Sequence, residues 1–197
     1  NDVNGSNGNN NNMTLKEYVN QVGKDSSGYS DRTPLQAASK HTMVMVATDQ
    51  AIIDYLFSIL LDGITLNTNT LTDVYKKAFP RGAPLVVACE YGRFEDVKLL
   101  ITGYNDVNGS NGNNNNMTLK EYVNQEGKDS WGYNEWTPLM TAGWGEHFQI
   151  VKYLIEQGEA DPNIADSNGF TPLMAAAKYE HFQIVKYLIE QGEADPN

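Results

Sequence analysis

The stretch from Thr137-Pro138-Leu139-Met140 to Asn163 returns almost letter for letter as Thr171-Pro172-Leu173-Met174 to Asn197, a shift of 34 residues (171 − 137). The copies differ only at Thr141/Ala175, Gly143/Ala177, Trp144/Lys178 and Gly145/Tyr179. A period of that length holding two helical patterns marks a repeat array, in which each unit buries its apolar face against its neighbours.

One unit can be read residue by residue. Thr171 is placed to cap a helix with its hydroxyl, and Pro172 sits at the first helical position, where its missing N–H costs nothing. The small residues Ala175, Ala176 and Ala177 let this short helix approach a neighbour closely. A second helix is predicted over Phe182 to Gln191, with Ile184, Val185, Leu188 and Ile189 on one broad apolar face. Gly192 is expected to end it in the left-handed conformation. Asp166-Ser167-Asn168-Gly169 has the composition of a tight hairpin tip between units.

A second, longer period overlies the first. Asn1 to Gln21 recurs unchanged at Asn105 to Gln125, a shift of 104 (105 − 1), and Thr33-Pro34-Leu35 maps onto Thr137-Pro138-Leu139 at the same spacing. Both copies carry an Asn-rich, low-complexity run followed by a capping box, Thr14-Leu15-Lys16-Glu17 or Thr118-Leu119-Lys120-Glu121. Leu119, Tyr122 and Val123 share a face, so a two-turn helix is expected to pack back on the array.

These units resemble ankyrin repeats. The residues that carry the resemblance are the Thr-Pro-Leu helix starts, the Glu180-His181-Phe182-Gln183-Ile184-Val185 link and helix, and the Gly192-Glu193-Ala194-Asp195-Pro196-Asn197 tail. Ala83-Pro84-Leu85 to Asp106-Val107-Asn108 is a further copy, with Gly92 at the linker, and Thr33 to Asn67 a divergent one. The fold this implies is all-α, an ankyrin-repeat solenoid of helix-turn-helix units with β-turn or hairpin fingers and inserted short helices. The units are expected at 33–67, 83–108, 137–163 and 164–197; 1–32 joins the tail of a preceding repeat to an Asn-rich insertion, 68–82 is a connecting insertion with a short helix over Leu71 to Phe79, and 109–136 is a second Asn-rich insertion.

Three departures from the family pattern carry structural expectations. Glu159 and Glu193 lengthen the unit beyond the usual length of about 33 residues. Glu146 and Glu180 stand where the interhelix glycine belongs, and a left-handed backbone is costly for any residue with a Cβ. The Thr33 unit runs 30 residues from Thr33 to Gly63 (63 − 33), so its helices are longer or its linker is looped out.

Charge and chemistry narrow the function. The net charge of −11 and pI near 4.6 oppose binding to phosphate backbones or anionic lipid, and the 14 Lys and Arg are scattered, so no nucleic acid and no membrane partner is expected. The longest apolar-rich run, Ala51 to Leu61, is interrupted by Asp54 and Ser58 and is too short to span a bilayer. Cys89 is the single cysteine, in Leu85-Val86-Val87-Ala88-Cys89, where a buried thiol is expected; this usage suits a reducing, cytoplasmic location, with a cytoskeletal association as one option. Residue 1 is not Met, and Asn1-Asp2-Val3-Asn4 reads as the tail of an earlier unit.

No phosphate-cradling loop, nucleophile elbow or paired-cysteine metal spacing is present, so no cofactor, no metal and no catalysis are expected. His147 and His181 occupy the same unit position, which points to a shared structural role. Asp2 to Met13 fails as a calcium loop, because its twelfth position is Met13 rather than a carboxylate.

The aromatic residues remain. Trp131, Tyr133 and Trp136 precede Thr137, Trp144 falls near the end of the first helix, and Phe170 precedes Thr171 as Trp136 precedes Thr137. Lys178 and Tyr179 match Trp144 and Gly145. The resemblance implies that such hairpin and first-helix positions line a concave binding face. These seven are the candidate protein-binding residues; the competing reading is that the tryptophans merely cover the inserted helix.

The expected function is a non-enzymatic scaffold that binds a partner protein through the concave face and hairpin edge. Two alternatives stay open: a structural segment of a long cytoskeletal or filament-associated array, associating with itself end-to-end or laterally, and the targeting region of a larger enzyme or ubiquitin-ligase adaptor.

Overall fold

The Thr-Pro-Leu starts fold as their residues dictate. In a computed structural model describing residues 23–24, 30–32, 47–110, 117–130, 132 and 134–196, the Thr137 and Thr171 hydroxyls each accept the N–H of the residue three positions on, at 3.2 Å, and a proline fills the first turn. Ala83 has no capping side chain; its N–H donates to the Lys128 carbonyl at 2.8 Å, which ties this helix start to a hairpin.

The elements in order are β1 (Gly23–Lys24), β2 (Ser30–Arg32), α1 (Ala47–Leu61), α2 (Thr68–Ala78), α3 (Pro84–Glu90), α4 (Phe94–Ser110), α5 (Leu119–Asn124), β3 (Gly127–Lys128), β4 (Glu135–Trp136), α6 (Pro138–Trp144), α7 (Phe148–Glu156), α8 (Pro172–Lys178) and α9 (Phe182–Glu190). The described chain is mostly helical, with two antiparallel two-stranded hairpins, β1–β2 and β3–β4. Gly23 pairs with Arg32 and Gly127 with Trp136, so the hairpins recur at the 104-residue shift. The Thr33 helix start lies outside the described residues.

The helices pack in two rows. Short helices α3, α6 and α8 lie side by side, and α2, α4, α7 and α9 follow one another behind them. Small residues permit the closest approach: a Cβ added at Gly143 of α6 would sit 3.3 Å from the Pro172 carbonyl of α8, and Ala142, Ala175 and Ala176 are buried beside it. Behind them Ile150, Val151, Leu154, Ile184 and Leu188 form the apolar seam that the helical spacing predicts. Burying a side chain of this size contributes roughly 1.5–3 kcal/mol, which an isolated nine-residue helix has no means of recovering alone.

The other end is built from larger side chains. Phe57 of α1, Tyr75 and Phe79 of and after α2, and Tyr91 after α3 form a buried ring cluster with centroids 5.2–6.2 Å apart. Arg93 covers the Phe57 ring at 4.6 Å and is held by Asp96 and Asp54 at 3.0 and 2.8 Å. Helix α1, with 15 residues against nine in α7 and α9, supplies part of the extra length of the Thr33 unit. The helix predicted near Leu71 to Phe79 is present as α2, and it packs against α4 and α3.

Two local expectations are corrected. Gly192 is not left-handed; the left-handed residue is Glu193 (φ 58°), as Glu159 is in the preceding unit (φ 56°). Gly192 is required for closeness instead, because a Cβ there would lie 3.0 Å from Leu188 backbone atoms. Asp106-Val107-Asn108, expected as a repeat tail, lies within α4. The tail contacts are supplied by Asn124, at the end of the inserted helix α5: its amide donates to the Glu159 carbonyl (3.0 Å) and its oxygen accepts the Asp161 N–H (2.7 Å). Asn163 repeats both bonds to Glu193 and Asp195, at 3.2 and 2.7 Å. Helix α5 does pack back on the array, with Val123 buried and Tyr122 stacked on Tyr104 at 4.2 Å.

Candidate protein-docking site

The inserted hairpin, the turn between units and the last turns of α6 and α8 bring five of the seven candidate residues together. Trp136, in β4, lies 5.9 Å from the Phe170 ring in a stacked arrangement and 6.2 Å from Trp144 edge-on. Trp144 meets Tyr179 edge-on at 5.8 Å. Lys178 places its ammonium 5.7 Å from the Phe170 ring centre and 5.6 Å from that of Tyr179. Trp131 and Tyr133 lie outside the described residues. Trp136, Trp144, Phe170 and Tyr179 are each half-buried and Lys178 is exposed, so one side of each ring is packed and another meets solvent.

Backbone chemistry fixes this ladder. Asp166 closes the inter-unit turn by donating its N–H to the Phe170 carbonyl at 2.9 Å, with Gly169 left-handed (φ 77°) inside it. The Asp166 carboxylate accepts the N–H groups of Asn168 and Phe170 at 2.8 and 2.9 Å and the Trp136 indole N–H at 3.2 Å. Slight burial pushes this carboxyl up, but those three donors outweigh it and hold it below the usual range. The turn composition was legible in the sequence; the indole bond across 30 residues was not.

The two histidines tie the units together beneath the ladder. His147 Nε2 lies 3.0 Å from the Glu90 carbonyl and His181 Nε2 lies 2.9 Å from the Trp144 carbonyl, so each ring bonds the end of the first helix in the preceding unit. Burial holds His147 below the ordinary imidazole value, partly offset by its bond to Glu90, which favours the neutral ring that a structural bridge needs.

A second anchor, not anticipated from sequence, holds the base of the inserted hairpin. Glu90 is 7% exposed, and its carboxylate accepts both the N–H and the hydroxyl of Ser130 at 2.8 Å, while Tyr91 donates to the Ser130 oxygen at 3.1 Å. Burial pushes the Glu90 carboxyl up to about 7, against the Ser130 bonds and aided by the nearby Asp129.

Cys89 is fully buried, and burial pushes its thiol well up, away from the reactive thiolate. Among the described residues no three or more His, Cys, Asp or Glu gather to hold a metal, and no helix is long and apolar enough to cross a membrane. An open cleft of about 430 Å³ beside α4 contains Arg93, whose charge is engaged by Asp54 and Asp96.

A family model described as ankyrin repeats (3 copies) matches residues 109–197, the segment holding α5 to α9 and the whole aromatic ladder. Those residues belong to the ankyrin-repeat family. The matched stretch includes the Asn124 tail contacts, in keeping with an insertion that ends as a repeat tail. No curated protein matches the sequence. Among solved structures, a chain of the crystal structure of the yeast ribosomal protein Rps3 in complex with its chaperone Yar1 is similar, at 20% identity and a TM-score of 0.48, with 78% of this chain and 99% of that chain covered.

Proposed function

We propose that this chain is a non-enzymatic ankyrin-type solenoid that docks a partner protein on the ladder Trp136–Trp144–Phe170–Tyr179 and the adjoining hairpin edge. The observation that carries the reading is the convergence of those rings, from three separate segments, on one half-exposed surface. Aromatic side chains bring large contact area with little rotamer entropy to lose, and they dominate the energetics of protein interfaces. A stiff stack supports them, so association orders little else. Trp136 packs on Phe170 and Trp144, which argues against a role limited to covering α5.

The double variant Trp136→Ala/Trp144→Ala tests it. Binding of a partner isolated with the wild-type chain is expected to weaken at least about 30-fold, since truncating a pair of hot-spot aromatics costs on the order of 2 kcal/mol or more. Undiminished binding by the folded variant rejects the ladder as the docking surface.

A second reading, end-to-end association of arrays, is supported by one comparison within the chain. Met140 is fully buried beneath the following unit, whereas its copy Met174 is 47% exposed; Phe182 and Ile189 are likewise open, at 73% and 44%. The outward side of α8 and α9 therefore repeats a surface that another helix pair covers one unit earlier, whether that pair comes from a second copy or from further repeats of a longer chain. Sedimentation across a wide concentration range is expected to show association that Met174→Glu abolishes. A strictly monomeric wild type removes this reading.

A further inference from the structure

The ladder already shows which chemistry its ring faces accept. Lys178 leans over both Phe170 and Tyr179, although as an exposed lysine at a helix end it is free to extend into water. Cations are drawn to aromatic faces by the ring quadrupole, and guanidinium, being planar and weakly hydrated, suits such faces better than ammonium. Carboxylates neighbour these rings: Asp166 bonds the Trp136 indole, Glu146 lies 3.9 Å from His181, which stacks on Tyr179, and Glu180 follows Tyr179 in sequence. Lys178 is the cation on these rings, on a chain of net charge −11.

Resting on the docking reading above, the geometry points to a basic protein segment as the partner, with an arginine guanidinium taking the place of the Lys178 ammonium on the Phe170 and Tyr179 rings. Lys178 then acts as a placeholder that competes with the incoming cation. Its removal opens two ring faces and deletes the like charge, so the sign of its effect identifies the partner's chemistry. An acidic or uncharged partner would lose, or be indifferent to, the same side chain.

The experiment is isothermal titration of the full chain with two blocked peptides of equal length, one alternating arginine and serine, the other alternating glutamate and serine. It is run near 0.15 M salt, where charges farther apart than about 8 Å are screened. The arginine peptide is expected to bind at least about tenfold tighter than the glutamate peptide. Lys178→Ala is expected to tighten the arginine peptide by roughly two- to fivefold, the worth of an exposed cation–ring contact. Trp136→Ala/Trp144→Ala is expected to weaken it about tenfold or more, and the thermal midpoint of each variant checks folding.

Preference for the glutamate peptide, weakening by Lys178→Ala, absence of binding by either peptide, or an arginine affinity indifferent to the tryptophan pair overturns the proposal. If the tryptophan pair still governs capture of the protein partner in those circumstances, the docking reading survives and only the arginine is lost. If capture is also indifferent, both fall.

Discussion

Glu90→Gln is expected to leave stability nearly unchanged near pH 4 and to raise it by ~3 kcal/mol near pH 8.5. The carboxyl is almost wholly buried, and burial lifts it from an ordinary value of 4.5 to about 7. Each tenfold change in proton affinity on folding is worth about 1.4 kcal/mol between the protonated and charged forms. Because the folded value is raised, the contribution is full below about 4.5 and is lost as pH rises through about 7. Glutamine copies the protonated acid: its oxygen accepts the Ser130 N–H and its amide donates to the Ser130 oxygen. His147 acts in the opposite sense, since its lowered value makes stability fall as pH drops, so the comparison between wild type and variant isolates Glu90. Thermal melts across that range are expected to show curves that converge in acid and separate by roughly 6–12 °C in base. A variant less stable than wild type near pH 8.5 contradicts this, and would mean the charged carboxylate is the form the hairpin base requires.

Glu146→Gly combined with Glu180→Gly is expected to stabilise the chain by about 2 kcal/mol. Both glutamates are left-handed, with φ of 62° and 63°, at the position where the preceding unit has Gly92 at φ 64°. A residue with a Cβ loses roughly 1–2 kcal/mol there, and glycine's larger unfolded-state entropy returns part of that gain. The ion pair at risk is a 3.9 Å approach of Glu146 to His181, with Glu146 75% exposed, which contributes little. The thermal midpoint is expected to rise by roughly 4–8 °C. A fall would show that the glutamate side chains hold the turns.

The geometry of these turns shows which parts of the structure could be read from letters. Thr137, Pro138, Thr171 and Pro172 announce helix starts because capping is a local bond between residues three apart, and the structure forms those bonds. Glu146 and Glu180 announce strain because the unit's own period shows where glycine belongs. The rest depended on partners distant in sequence. Glu90 and Ser130 are 40 residues apart, and nothing local marks either as buried. Asn124 looked like the end of an inserted helix, yet it bonds Glu159 and Asp161 as Asn163 bonds Glu193 and Asp195. The apparent tail at Asn108 was absorbed into α4 because helical bonding simply continued past the expected stop. Among the candidate contacts, the equivalence of Trp136 with Phe170 was visible in the repeat, whereas their stacking became visible only when one unit was laid on the next.

Hydrogen exchange of the chain with and without its isolated protein partner tests the docking surface most directly. Protection on binding is expected to concentrate on residues 134–145 and 164–181, the hairpin edge, the inter-unit turn and the ends of α6 and α8. The outer helices α7 and α9 should exchange as in the free chain. Protection confined to α7 and α9, with the ladder segments unaffected, would contradict the account.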